Sequence, residues 1–190
     1  MESKNIMIVG VGGQGTLLAS KLLGRILLEN GYDVKVSEVH GMSQRGGSVV
    51  TYVRCGNKVY SPIIDKGEAD IIVSFELLEA ARWAEYLKEG GILLTNTQKI
   101  NPMPVITGAA DYPKALEKKL AALPIRLDAM DALGLALRAG SAKAVNLVLL
   151  GRLSRYFHFT DEQWQDAIEK SVPAKFLELN KKAFALGKEA

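Results

Sequence analysis

The chain has 190 residues, 48% hydrophobic and 24% charged, with a formal net charge of +3 and a single cysteine. These values suit one globular α/β domain spanning residues 1–190; the charge is too small to argue for nucleic-acid binding, and one thiol supplies neither an intrachain disulfide nor the cysteine set of an iron–sulfur cluster. Apolar stretches such as Ile26 to Leu28 and Leu147 to Leu150 fall far short of the roughly 18 residues that a bilayer helix needs, and no charged-then-apolar leader precedes the first strand, so a cytoplasmic setting without a membrane partner is expected.

Asn5 to Val9 reads as a short apolar strand. Leu18, Leu22 and Ile26 recur at a helical spacing between Gln14 and Glu29, and Asn30-Gly31 suits a left-handed C-cap. Val34 to Val39 completes a βαβ unit. Val49 to Arg54 and Lys58 to Ser61, joined by Cys55-Gly56-Asn57, suggest a hairpin that would make the sheet mixed. Parallel order then resumes, with a strand at Ala69 to Ser74, a helix from Glu76 to Lys88 stopped by Gly90-Gly91, and a strand from Gly91 to Asn96. Val105 to Thr107 suggests a brief strand, Tyr112 to Ala122 a helix, and Pro124 to Leu127 the last strand. Helical patterns follow at Asp128 to Ala139, Lys143 to Tyr156 and Thr160 to Lys170, the last opening with the capping-box pair Thr160 and Gln163. Pro173 suits the first turn of a final helix running to about Leu186. The expected fold is a three-layer, Rossmann-like α/β/α domain with a mostly parallel mixed sheet, a hairpin insertion and a helical C-terminal third.

Two glycine-rich segments follow strand ends. Gly10-Val11-Gly12-Gly13-Gln14-Gly15 lies between a strand and a helix, where such a string provides a tight turn, amides facing a phosphate and close helix–strand contact. A purely structural turn is the alternative. Gln14 adds a side-chain amide at the mouth. The second segment, His40-Gly41-Met42-Ser43-Gln44-Arg45-Gly46-Gly47, brings a hydroxyl, an amide and a guanidinium to a glycine-rich backbone, a set suited to anionic oxygens. Glu38, 23 residues past Gly15, stands near the separation of a ribose-binding acid, but it also suits a turn cap or a pair with Arg45. His40 reads as a hydrogen-bonded loop histidine or a base, and His158, between Phe157 and Phe159, as a packing residue. No spacing of His and Cys forms a metal set, and no nucleophile elbow is present.

With these residues in place, the two segments resemble the gamma-type subunits of the ferredoxin-dependent 2-oxoacid oxidoreductases. The wording of His40 to Gly47 is nearest to the branch containing the indolepyruvate beta subunits. The resemblance extends to Ile92 to Asn96 and Asn146 to Gly151. It implies a subunit of an enzyme that oxidatively decarboxylates a 2-oxoacid, joins the acyl group to coenzyme A and reduces ferredoxin. Thiamine diphosphate and the iron–sulfur clusters would reside on a larger alpha subunit, against which Leu17 to Leu28 and Val145 to Leu153 are candidates to bury. A homodimer is the alternative when that partner is absent. The candidate coenzyme A contacts are Gly10, Gly12, Gly13, Gln14, Gly15, Ser43, Gln44, Arg45 and Gly46, with no catalytic residue and no metal ligand in this chain. The competing readings are a free-standing NAD(P)-binding oxidoreductase, supported by the first loop and Glu38, and a scaffold whose loops serve only subunit contact.

Overall fold

The computed structural model describes residues 2–39 and 46–190; His40, Gly41, Met42, Ser43, Gln44 and Arg45 lie outside them. Six strands form one sheet: β1 (Lys4–Val11), β2 (Asp33–Glu38), β3 (Ser48–Gly56), β4 (Ala69–Ser74), β5 (Leu87–Asn96) and β6 (Arg126–Met130), in the spatial order β2-β3-β1-β4-β5-β6. β1, β4, β5 and β6 pair in parallel, while β3 runs antiparallel to both β1 and β2. β2 therefore points the same way as β1, and β3 is the one reversed strand.

Continuous apolar runs suit strands covered on both sides. Along β1, Ile6 and Ile8 point into one core layer and Met7 and Val9 into the other, all fully buried. The first layer lies under α1 (Thr16–Glu29), α5 (Ala132–Ala139), α6 (Val145–Ser154), α7 (Asp161–Ser171) and α8 (Leu177–Glu189). The second lies under α2 (Leu77–Trp83) and α4 (Leu116–Ala121). Helix α3 (Met103–Ile106) is a single exposed turn between them in sequence.

Local signals place several elements as expected. Gly31 adopts φ +82° after α1, and Thr160 and Gln163 form both bonds of the capping box on α7. Other expectations are corrected. No hairpin joins Val49–Arg54 to Lys58–Ser61; β3 continues to Gly56 and pairs on both sides, leaving it no free edge for 58–61. The antiparallel neighbours in sequence are instead β2 and β3. Gly90-Gly91 does not follow a helix, since α2 stops at Trp83 and the pair sits within β5 beside a register shift, where Gly90 takes φ +72°. Val105 is helical, not extended, with Val105, Ile106 and Thr107 amides turned back onto Pro102 and Met103. The last strand is shifted to Arg126–Met130, so α5 begins only at Ala132, capped by Asp131.

The C-terminal helices pack more closely than their sequence suggested. Val145–Ser154 is buried along almost its whole length, so its apolar surface is spent inside the chain and not available to a partner. The contact is made by glycine. A methyl group on Gly151 would lie 2.0 Å from the Phe184 carbonyl oxygen, and one on Gly187 1.9 Å from that of Val148. Across this bundle Arg152 forks onto Asp128 at the end of the sheet, with Nε 2.8 Å from Oδ2 and Nη2 3.0 Å from Oδ1, and Tyr156 donates to the same carboxylate at 2.6 Å. Burial opposes the Asp128 charge, but these donors outweigh it and hold the carboxyl below its ordinary value. His158 faces solvent, while its neighbours Phe157 and Phe159 pack edge-on against Trp164.

Candidate functional site

In an open parallel sheet the crevice for a ligand lies outside the carboxyl ends of the strands, where successive connections leave in opposite directions. Here that point is the junction of β1 with β4: the chain goes from β1 over α1 to β2 on one side, and from β4 to β5 and β6 on the other. The first glycine loop, Gly12 to Gly15, crosses this junction.

Each glycine of the loop answers a different demand. Gly10 ends against Phe75, whose Cβ would stand 2.9 Å from an added methyl group. Gly15 takes φ +90° as the N-cap of α1, and a Cβ there would meet Asn146 Nδ2 at 2.9 Å. Gly13 takes φ +100° with nothing within 4 Å of the Cβ position. The Gln14 side chain is turned back into the protein. Its Oε1 accepts the Val11 amide at 2.8 Å and its Nε2 donates to the Phe75 carbonyl at 3.1 Å, binding the loop to the end of β4. The Phe75 carbonyl also accepts Asn96 Nδ2 at 3.1 Å, and Asn96 Oδ1 accepts the Ala132 amide at 3.2 Å, so β1, β4, β5 and α5 are joined at one node.

With Gly12 N–H donating to Gly47 O at 2.9 Å and Gln14 N–H to Val11 O at 3.2 Å, those amides are spent. Among the described residues, no backbone acceptor takes the amides of Gly13, Gly15 or Thr16. The N-cap residue, Gly15, has no side chain to cap α1 and no acid stands in its first turn, so the partial positive charge of a helix start, roughly half a unit, borders the cleft. Two clefts flank this point. One of about 340 Å³ lies between the loop and the β2–β3 end, lined by Gly13, Thr16, Glu38, Val39 and Thr51. The other, about 490 Å³, lies toward α5 and α6, with Gly13, Gly15, Gln98, Ile100, Leu133 and Lys143 on its walls. A larger groove of about 870 Å³ runs along α1 and the edge strand β2, away from the first glycine loop.

The second glycine segment emerges beside the first. Val39 N–H donates to Val50 O at 3.1 Å, Gly47 carries the bond to Gly12, and Gly46 takes φ +95° with open space around its Cβ position. The structure thus brings Gly46 and Gly47 to the first loop, while Ser43, Gln44, Arg45 and His40 lie outside the described residues. Glu38 ends β2 with its carboxylate 2.7 Å from Ser20 Oγ. Because β3 intervenes, β2 is two strand spacings from β1, about 9–10 Å instead of the single spacing that a ribose-binding acid exploits.

Several residues of this region escaped the sequence reading. Asn146 is 4% exposed in an otherwise apolar helix and reaches Gly15 O at 3.5 Å; a buried amide inside such a run was the available signal. Lys143 is marked in sequence only by its position at the start of a helix. Glu76 and Glu79 open α2 as buried acids. Glu76 accepts the Glu79 amide at 2.9 Å, the Ile100 amide at 3.0 Å and the Tyr112 hydroxyl at 2.6 Å. Glu79 accepts from Ser48 Oγ and lies 3.2 Å from Arg82 Nε; burial raises its carboxyl above the ordinary range despite these partners. Cys55 is also buried, and desolvation pushes its thiol up to about 11, far from a reactive thiolate. Among the described residues, no group of three or more His, Cys, Asp or Glu is placed to hold a metal ion, and no helix is long and apolar enough to cross a membrane.

Residues 5–190 match the family model described as pyruvate ferredoxin/flavodoxin oxidoreductase. The indolepyruvate oxidoreductase subunit IorB of Thermococcus kodakarensis is 47% identical, with 100% of this chain and 96% of that protein covered. The crystal structure of pyruvate oxidoreductase subunit PORC from Thermotoga maritima superposes with a TM-score of 0.76 at 24% identity, covering 100% of this chain and 97% of that one. A 2-oxoglutarate:ferredoxin oxidoreductase from Magnetococcus marinus, solved with 2-oxoglutarate, coenzyme A and succinyl-CoA bound, superposes with a TM-score of 0.76 at 17% identity over 100% of this chain and 31% of that one.

Proposed function

The chain belongs to the pyruvate ferredoxin/flavodoxin oxidoreductase family, as a gamma/beta-type subunit of a 2-oxoacid:ferredoxin oxidoreductase, and from that premise we propose that it serves an arylpyruvate enzyme by offering coenzyme A a phosphate-binding rim. The observation that carries this reading is the start of α1, where, among the described residues, no backbone acceptor takes the amides of Gly13, Gly15 and Thr16, beside a second glycine segment tied on by Gly12 and Gly47. This donor set fits a phosphate, whose oxygens take backbone N–H groups at a helix start. Gly13 and Gly46 leave the backbone bare for close approach. Lys143 supplies an ammonium to one flanking cleft, and Ser43, Gln44 and Arg45 are assigned to the same anion.

Carbon–carbon cleavage and electron transfer are assigned to a larger alpha subunit carrying thiamine diphosphate and iron–sulfur clusters, with ferredoxin reached through that partner. Indolepyruvate as substrate rests on the similarity to IorB. Coenzyme A as ligand draws further support from the fold shared with the succinyl-CoA-bound enzyme. The intervening β3 weighs against the NAD(P) reading because it sets the strand that carries Glu38 two positions from β1 instead of next to it, and Glu38 is engaged by Ser20.

The test is Arg45→Ala in the assembled enzyme, read as the coenzyme A dependence of oxoacid oxidation. A raised KM for coenzyme A with intact assembly is expected; unchanged kinetics remove Arg45 from the site. Titrating NAD+ or NADP+ against the purified chain separates the rival, because micromolar binding there would favour an independent dehydrogenase.

A further inference from the structure

We propose that two serine–glutamate pairs, Ser20–Glu38 and Ser48–Glu79, grip the two legs of the second glycine segment from opposite faces of the sheet and set its spacing from the first. The inference rests on the anion-rim reading for its functional consequence and on geometry alone for the grip itself.

Glu38 is the last residue of β2 and Ser48 the first of β3, so the pairs stand at the two ends of one connection. Ser20 comes from α1, in the first core layer, and is 1% exposed. Its hydroxyl lies 2.7 Å from Glu38 Oε1 and 3.0 Å from Leu17 O. It has one proton to give, and the charged acceptor makes the stronger bond. Glu79 comes from α2, over the second layer, and is 5% exposed. It accepts from Ser48 Oγ, which in turn receives Trp83 Nε1 at 3.4 Å. Each pair thus joins a buried side chain of a flanking helix to one leg.

What the grip controls follows from the next bonds along the chain. Ser48 pairs with Val11 in the ladder, and the adjacent Gly47 O takes the Gly12 amide. A displacement of Ser48 therefore moves Gly47 and, through it, the turn leading to the open amide of Gly13. The other leg is coupled to the same strand, since Val39 N–H donates to Val50 O. A buried carboxylate is an expensive way to fill space: an apolar side chain at position 79 would avoid the desolvation that raises this carboxyl. Directional bonding to a hydroxyl at a loop base is what the acid adds. Glu38 and Glu79 are accordingly positioning residues.

The test uses Ser48→Ala, Ser48→Thr, Glu79→Gln and the Ser48→Ala/Glu79→Gln double variant, with Ser20→Ala for the other leg, all in the assembled enzyme. Two readouts are taken: amide hydrogen exchange of residues 46–50 against that of α6, and the KM for coenzyme A alongside kcat. Exchange at 46–50 should rise about tenfold in Ser48→Ala, as expected for losing one charge-assisted bond, while α6 keeps its protection. KM should rise more than kcat falls, Ser48→Thr should restore both, and the double variant should be no worse than the worse single one. Unchanged exchange at 46–50 overturns the grip. Faster exchange without a change in KM, while Arg45→Ala does raise it, overturns the link to the cleft and leaves the rim reading standing. A KM that none of these variants moves, Arg45→Ala included, removes the rim reading and this inference with it.

Discussion

Gly151 and Gly187, where α6 crosses α8, have no room for a methyl group, whereas Gly13 and Gly46, at the carboxyl ends of the strands, have nothing within 4 Å of where one would sit. The first pair is glycine because another backbone occupies the space. The second is glycine because its φ is positive and its backbone is bare. One region is closed upon the chain's own core, and in the other the described residues leave the backbone bare, as the proposed coenzyme A rim requires. Substitutions in the two regions should therefore separate stability from ligand response.

The largest loss of stability is expected at the crossing. Gly187→Ala forces α8 off α6 because the obstructing atom is a carbonyl oxygen with no side-chain freedom, and about 3 kcal/mol should be lost, the upper part of the range for overpacked cores. For a chain of this length that is a fall in Tm of about 6–12 °C in a thermal melt. A smaller loss would mean that the helices slide apart cheaply and that the contact is less closed than its geometry indicates.

Asp128→Asn comes next, at about 2 kcal/mol near neutral pH, between the values for exposed and buried pairs. It also has a pH signature. The Asp128 carboxyl is held below its ordinary 3.8 in the folded chain, so its contribution is present above that pH and is lost as the pH falls through the folded value. Glu79 has the opposite sign. Burial, only partly offset by Ser48 and Arg82, raises it above its ordinary 4.5; stability from this group is greatest below 4.5 and declines as the pH rises through the raised value. Urea melts across the acid range should therefore show Asp128→Asn flattening the acid loss, and Glu79→Gln removing a decline on the rising side. Identical slopes in the two variants would contradict the assignment.

Gly13→Ala should cost about 1–2 kcal/mol, since the strain is that of a left-handed conformation without any steric collision. Its effect on the KM for coenzyme A should outlast correction for stability, which is where rim and crossing part company. Lys143→Ala should be the mildest change, within about 0.5 kcal/mol of the parent in a melt as befits an exposed side chain, yet with the KM for coenzyme A raised about two- to fivefold, the worth of one exposed charge contact. A Lys143→Ala enzyme with unaltered coenzyme A dependence would assign the α5–α6 cleft no share in the ligand.

Much of the site's frame was legible from local chemistry. The strand Asn5 to Val9, the turn at Gly12 to Gly15, the left-handed stop at Gly31 and the capping box of Thr160 and Gln163 depend on neighbours within a few residues, and each was read in place. The failures have the opposite character. Cys55-Gly56-Asn57 has the composition of a hairpin turn, but β3 spends both its edges on β1 and β2. Gly90-Gly91 looks like a helix stop, but pairing with β4 draws the residues before it into β5. Gln14 stands at the mouth of the loop in sequence, and where its side chain goes is decided by Phe75, 61 residues away. Val145 to Leu153 was apolar enough for a partner, but α8 covers it.

The amino-acid order alone settled where the glycine segments lie, that each follows a strand, that the chain lacks the cysteines for a redox cluster, and which family it resembles, because all of these are written in adjacent residues or in composition. Only the folded molecule decided that β3 runs backward between β1 and β2, that Asn146 and Glu79 reach the two loops from distant helices, and that two glycines weld α6 to α8 while two others lie open. The reason is range: turns and caps are set by bonds between near neighbours, whereas strand order and the occupant of a given space are set by contacts whose partners stand tens to more than a hundred residues apart.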